Sequence, residues 1–169
     1  MATYIKIASS TVGSGGAASV TFSSIPATYT DLLLKTSERQ TSTGTVNGKL
    51  TFNGTTTGYS ERLLYVSGST PSSASQSTTA FAWATVLYGT DSTANSFGSA
   101  DIYIPNYITA NNKTIAGDAV AEYNGTNANI WIDTGLWSNS AAITSLTMTP
   151  SSGNYAQYST FTLYGISNA

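Results

Sequence analysis

The chain lacks both cysteine and histidine, two residue types on which much enzyme chemistry depends. Without cysteine it can form no disulfide, and it can offer neither a thiolate nucleophile nor a thiolate ligand. Without histidine, Ser-His-Asp and Cys-His arrangements and imidazole zinc sites are excluded, together with the commonest general base. The many serines therefore have no evident activator. We expect a protein that is not an enzyme, with no catalytic residue, cofactor or bound metal.

Charge is also scarce: only 8% of the residues are charged, against about a quarter in an average globular protein. The six Lys and Arg are scattered and the net charge is −2, which is not the basic stripe of a nucleic-acid-binding protein. No run reaches the ~20 apolar residues of a membrane span, and the beginning, MATYIKIASS, is not organised as a signal peptide. We expect neither nucleic acid nor membrane as a partner, and synthesis and assembly in a cytoplasm.

Threonine and serine take the place of charge, with 28 Thr and 25 Ser in 169 residues. Such a composition suits pleated surfaces, and it allows protein surfaces to meet without desolvating many charges. Disorder is the other reading of so much Ser and Thr, but the hydrophobic content is 40%, with 11 Tyr, 5 Phe and 3 Trp. The length fits a single domain, 1–169, that buries its own core.

Strand patterns run through the whole chain, and no apolar stripe of helical period persists for three turns. The plainest example is 128–137, where Ile130 and Ile132 alternate with Trp131 and Asp133. About ten such runs, separated by turn residues, predict an all-β fold: an antiparallel two-sheet β-sandwich of jelly-roll type. The last run, Tyr158 to Ile166, is expected inside a sheet.

The connections carry further expectations. Asn53-Gly54 is a strong hairpin signal and predicts Glu61 to Val66 as the returning strand. The stretch from Ser67 to Thr79 shows no periodicity and is predicted to be an exposed loop of low complexity. Pro105 interrupts a run that starts at Asp101, so this strand is expected at a sheet edge or ending there.

Paired carboxylates are the remaining route to hydrolysis. Asp118 and Glu122 share a strand face but lie roughly 13 Å apart at ~3.3 Å per residue, and Asp133 could approach either of them only across strands. Scattered acids on a sandwich are more often solvated or ion-paired, so we expect no active site here. Asp91 and Asn95 could contribute to calcium binding, but they lack the usual spacing and favour a turn.

Four aromatic residues are the candidate contact residues: Tyr103, Tyr107, Trp131 and Trp137. One interpretation makes them a platform for stacking the sugars of a bacterial surface glycan, or anchors in a subunit interface. The other places them in a core covered on both sheet faces. We favour core or interface over glycan contact, because a platform also needs convergent polar groups that the sequence does not locate.

Several segments resemble a family of structural proteins of tailed bacteriophages. The strongest likeness is the ending, ITSLTMT followed by SGNYAQYSTFTLYGI, with GLW just before it. It extends to IPATYTDLLLKTSER (Ile25–Arg39), YSERLL (Tyr59–Leu64) and IYIPNY (Ile102–Tyr107). The resemblance thus covers most of the chain in order and points to a virion protein.

The resemblance implies a capsid decoration, or cement, protein on the outer surface of the shell. Its partners would be the major capsid protein and copies of itself, as a homo-oligomer, with a trimer expected because such proteins are often trimers. The segment 1–16 would be an arm that reaches a neighbour, or else an ordinary first strand. The alternative is a tail or fibre-tip module that binds a host surface glycan through loops at 67–79 and 90–98.

Overall fold

The computed structural model describes residues 2–122, 124–125 and 128–167, and these residues form strands, turns and loops but no helix. This part of the chain accordingly contains no helix that could cross a membrane. The twelve strands are β1 (Thr3–Thr11), β2 (Val20–Phe22), β3 (Asp31–Glu38), β4 (Thr45–Phe52), β5 (Tyr59–Ser67), β6 (Thr70–Thr78), β7 (Phe81–Tyr88), β8 (Gly98–Ile104), β9 (Lys113–Ala121), β10 (Asn129–Trp137), β11 (Leu146–Pro150) and β12 (Thr160–Ser167).

The strands make two antiparallel sheets of unequal size. The large sheet has the order β1-β12-β3-β8-β9-β10-β5-β6 and the small sheet the order β2-β11-β4-β7. The small sheet covers part of one face of the large sheet, with β7 packed across β8, β9, β10 and β5. The predicted fold class, an antiparallel two-sheet β-sandwich, is confirmed.

The main core lies between the sheets and is built from alternate residues of each strand. Its fully buried members include Leu32, Leu34, Ile102, Phe161 and Leu163 from the large sheet and Leu50, Phe52, Leu146 and Met148 from the small one. The last strand, β12, pairs with β1 on one side and β3 on the other. The expectation that the final strand lies inside a sheet is therefore confirmed.

The Asn53-Gly54 turn has the expected local geometry but not the expected consequence. Both residues have positive φ, 52° and 67°, as a type I′ turn requires. However, β4 pairs with β11 and β7, whereas β5 pairs with β10 and β6. The predicted hairpin is wrong because the turn leads from the small sheet to the large one. The Asn53 side chain instead binds the segment before β11, accepting the Thr144 amide at 2.9 Å and donating to the Ala142 carbonyl at 2.8 Å.

The predicted loop from Ser67 to Thr79 is also wrong, because most of it is β6. This strand pairs with β5 over nine residues through a two-residue turn at Gly68-Ser69, with Gly68 at φ 62°. The strand lies at the edge of the large sheet, beyond the small sheet, so its residues need little apolar character. An edge strand of this kind lacks the alternation by which a strand is recognised from sequence.

The sequence left alternatives open for the strand before Pro105 and for the segment 1–16. The strand that begins near Asp101 ends at Ile104, just before Pro105, but it lies between β3 and β9 and not at an edge. Residues 3–11 form β1, which pairs with β12 of the same chain and shifts register between Lys6 and Ala8. The segment proposed as an arm is thus an ordinary first strand over these residues.

The polar loop between β7 and β8 is organised around one buried cation. Arg39 is 9% exposed, and its guanidinium donates to the carbonyls of Gly89 (2.6 Å), Ser92 (3.2 Å), Thr93 (2.8 Å) and Ser96 (2.9 Å). A planar guanidinium offers five donors in a fixed geometry, which a lysine cannot reproduce. One side chain, from the residue that follows β3, therefore binds four carbonyls of this loop.

We expect Arg39→Lys to lower the free energy of unfolding by about 2 kcal/mol or more, since buried carbonyls lose their donors. The measurement is chemical denaturation of both proteins. Arg62→Lys is the matched control, because Arg62 is exposed on β5 and should change stability by less than ~0.5 kcal/mol. Equal losses in the two variants would contradict the role assigned to Arg39.

Candidate functional site

Three of the four candidate aromatic residues lie in the interior. Trp137 and Tyr107 are fully buried and Trp131 is 7% exposed, whereas Tyr103 is 38% exposed. The Tyr107 hydroxyl donates to the Pro26 carbonyl. This placement matches the core interpretation for three residues and leaves Tyr103 as the one that offers a ring to solvent.

Trp137 belongs to a cluster of rings that joins the two sheets. Its ring centroid lies 5.5 Å from that of Phe52 on β4 and 6.1 Å from that of Tyr59 on β5. Phe81 of β7 completes the cluster, 4.9 Å from Tyr59 in an edge-on arrangement. Edge-on and stacked pairs of this kind stabilise beyond the area they bury. The role of Trp137 is therefore packing.

Tyr103 lies on the opposite, outer face of the large sheet. Its hydroxyl donates to Asp31 Oδ2 at 2.8 Å. Partial burial, and then the hydrogen bond and charge of Asp31, raise the pKa of Tyr103 to about 12. A shallow depression on the same face is lined by Tyr4, Leu33, Lys35, Asp101 and Tyr164, with Lys35 and Asp101 ion-paired. This face offers exposed rings beside polar groups.

The acidic residues considered in the sequence do not form a pair. Asp118 is opposite Ile132 in the β9–β10 register and is exposed on the outer face, whereas Asp133 is opposite Gly117 and points inward. Glu122 follows the end of β9 and is exposed. Because the two aspartates lie on opposite faces of one sheet, they cannot act on one substrate.

A different acid lies near Asp133 in the interior, and the sequence analysis did not find it. Glu61 shares the inner face, and its register partner Gly135 is two residues from Asp133 on β10. The Glu61 carboxylate accepts the amides of Ala82 (2.9 Å) and Trp83 (3.2 Å). Burial, and then the charge of Glu61, raise the pKa of Asp133 to about 7. Both acids are sealed, at 2% and 3% exposure, so they offer no surface to a substrate.

The calcium alternative finds no support in the loop that contains Asp91. Its Oδ1 accepts the Gly44 amide at 2.7 Å and so links two loops. Across the described ranges, no three acidic side chains come together in a group that could hold a metal ion.

Glu38, at the end of β3, is a third buried acid, and its side chain is fully enclosed. Thr36 Oγ1 donates to Glu38 Oε1 at 2.9 Å, while Oε2 has no hydrogen-bond partner among the described residues. Burial raises the pKa of Glu38 to about 7, and the hydroxyls of Thr85 and Thr36 offset part of the rise. Burial, with a smaller contribution from the charge of Glu38, also raises the pKa of the Tyr155 hydroxyl. The carboxyl is therefore part of the interior and not a surface group.

A group of neighbouring aliphatic side chains lies on the outer face of the large sheet, most of them exposed. We name it the outer aliphatic patch; its members are Leu64 and Val66 of β5, Ile130 and Ile132 of β10 and Val120 of β9. Register places Val66, Ile130 and Val120 in one row and Leu64 beside Ile132 in the next. Leu64, Ile130 and Ile132 are each more than half exposed, at 56%, 54% and 57%. The sequence shows these residues as apolar positions, but a strand with apolar residues on both sides does not reveal which side is covered.

Comparisons of the chain with protein-family models, with curated proteins and with solved structures gave no match. The functional argument accordingly depends on the surfaces described above.

The buried Glu38 predicts a pH dependence of stability. A carboxyl whose pKa is 4.5 unfolded and about 7 folded binds its proton more tightly in the folded protein. Its stabilising contribution is therefore complete below pH 4.5 and is lost as the pH rises through about 7. Glu38→Gln, which keeps the shape without the charge, should match the original protein near pH 4. Above pH 7 it should be the more stable by roughly 3 kcal/mol, taking about 1.36 kcal/mol per pKa unit.

The measurement is urea denaturation from acidic to mildly alkaline pH. Glu122→Gln is the matched control, because Glu122 is exposed, and it should leave the profile unchanged. A Glu38→Gln profile parallel to the original would contradict the assignment.

Proposed function

We propose that the chain is a non-enzymatic virion structural protein of a tailed bacteriophage, one that decorates and stabilises the outer capsid surface. The observation that carries the proposal is the outer aliphatic patch, a group of neighbouring apolar side chains of which Leu64, Ile130 and Ile132 are more than half exposed. Large exposed apolar patches mark interaction sites, since single exposed residues are common but contiguous ones are not. The resemblance to phage structural proteins supplies the kind of partner.

The surroundings of the patch suit contact with another protein. Across the sheet, small polar residues border it, among them Ser73 on β6 and Ser99 on β8, and Arg62 and Asp118 are the nearest charges. Interfaces between proteins have cores depleted in charge and rims that are polar. Docking this face would bury branched aliphatic side chains while few charges lose water.

The partner in this proposal is the major capsid protein, together with copies of the chain itself. An assembled shell presents many identical sites, so modest contacts from a homo-oligomer add up through avidity. The protein would then reside in the virion, on the capsid surface.

The capsid proposal predicts that the protein is abundant in the virion. In purified virions that carry this protein, quantitative mass spectrometry should find a copy number comparable with that of the major capsid protein. A repeating shell component must be present in such numbers. A copy number that is a small fraction of the capsid protein would overturn the capsid proposal and direct attention to the tail.

The capsid proposal also predicts that the outer aliphatic patch contacts the shell. Leu64→Lys should weaken binding to shells that lack the protein by at least tenfold, because the buried lysine would lose its hydration while its register neighbours, Ile132 and Ser73, offer it no charge. The measurement is cosedimentation with such shells. Thr162→Lys, on the same face but on the distant β12, is the matched control and should bind normally. Equal binding by both variants would exclude the patch as the contact surface.

The alternative proposal is a tail or fibre-tip module that binds a host glycan. The observation favouring it is the depression near Tyr103, where exposed Tyr4 and half-buried Tyr164 lie beside the Lys35–Asp101 ion pair, a combination of rings and a few polar groups that is typical of ligand sites. Low copy number together with loss of glycan binding in Tyr103→Ala would support it. The two proposals thus differ in both abundance and the face they use.

A further inference from the structure

The two sheets have four edge strands, and three of them carry features that discourage pairing with another chain. The first, β1, contains Lys6 and a register shift next to it, and β2 has only three residues. At β7 the Glu61 carboxylate takes two amides, and the Gln40 amide donates to the Tyr88 carbonyl. Charge, bulges, shortness and covering are the usual means by which proteins protect sheet edges.

The fourth edge, β6, has almost none of these features. Its nine residues, TPSSASQST, include no charged side chain, and they pair with β5 without a register shift. Among the described residues, no strand pairs with its other side. The only protective residue is Pro71, near one end. An edge that is long, regular and uncharged is a template for another strand.

The hairpin geometry shows which backbone groups this edge presents. The residues that flank a two-residue hairpin turn, Ser67 and Thr70, form a hydrogen-bonded pair. Hydrogen-bonded and non-hydrogen-bonded pairs then alternate along the strands. The amides and carbonyls of Ser73, Ser75 and Ser77 consequently point away from β5. Pro71 falls in the same series, where the amide that it lacks would also have pointed outward.

This arrangement is self-complementary. If two β6 strands run antiparallel with Ser75 opposite Ser75, then Ser73 of each lies opposite Ser77 of the other. Three hydrogen-bonded pairs form, with about six backbone hydrogen bonds, and both Pro71 residues fall outside the ladder. On the outer face the side chains brought together are small hydroxyls, and on the inner face Ala74 lies opposite Gln76 of the other copy, so no like charges meet.

We propose that β6 is a self-association edge, through which two copies of this chain join their large sheets into one continuous antiparallel sheet about a two-fold axis at Ser75. The pairing of two identical strands satisfies the backbone groups of both, and an isologous contact closes after two subunits. The two outer aliphatic patches then lie on the same side of the joined sheet. This association is two-fold and does not depend on the proposed capsid role.

The test is the mass of the purified protein in solution by sedimentation equilibrium over a wide range of concentrations. A dimer of twice the 17.6 kDa chain is expected, with slow amide hydrogen exchange at Ser73, Ser75 and Ser77. Ser75→Lys places two like charges opposite each other at the two-fold axis and should raise the dissociation constant at least tenfold. Ser75→Pro removes only an outward amide and should do the same.

Ser99→Lys is the matched control, because Ser99 is exposed on the same face of the central strand β8; it should remain dimeric. Thermal unfolding of each variant verifies that it is folded. A monomer at all concentrations, a trimer, or a dimer that persists in both Ser75 variants would overturn the proposal.

Discussion

The aromatic cluster between the sheets is the contact on which the rest of the structure depends. Phe52 and Phe81 come from the small sheet, and Tyr59 and Trp137 from the large one. The Phe52 amide also donates to the Tyr59 hydroxyl at 2.8 Å, so packing and a hydrogen bond act at one place. Gly135 makes this contact possible, because a Cβ there would lie 2.3 Å from the Phe81 ring. The four rings are part of the main core, which residues of both sheets continue.

The interior is unusual for the charged and ionisable groups that it encloses. Glu61 and Arg39 bind backbone groups, and Lys113 likewise donates to the carbonyls of Thr109 (2.8 Å) and Asn111. Backbone partners allow a charge to be buried without an opposite charge, since amides and carbonyls are oriented dipoles. Burial alone lowers the pKa of Lys113. These charged side chains bind the backbone of loops and strand edges. Their charges can therefore be buried without an oppositely charged side chain beside them.

The exterior, in contrast, exposes apolar side chains and an unpaired strand edge. The small sheet packs on one face of the large sheet only, and no strand of the described residues covers the outer face or pairs with the free side of β6. The outer aliphatic patch lies on that face, while the unprotected backbone lies along that edge. The two proposed contacts use these surfaces, one through side chains on the face and the other through backbone groups at the edge.

Much of the fold follows from the sequence alone. Alternation predicted strands that are covered on one face, such as β10, because burial imposes a period of two on side-chain polarity. The absence of helices, the sandwich class and the position of the last strand inside a sheet were likewise correct. The lack of histidine and cysteine defined which chemistries the chain can offer, whatever its fold.

Only the tertiary structure decided how the strands pair and which faces are covered. Asn53-Gly54 predicted the turn but not its partners, since a turn has the same local chemistry whether the next strand returns to its own sheet or crosses to another. The polar β6 showed no periodicity because an edge strand outside the core needs none. Glu61 and Asp133 lie near each other because the register between β5 and β10 aligns two distant segments of the chain. Trp131 is buried and Ile132 exposed because the small sheet covers only one face of the large one.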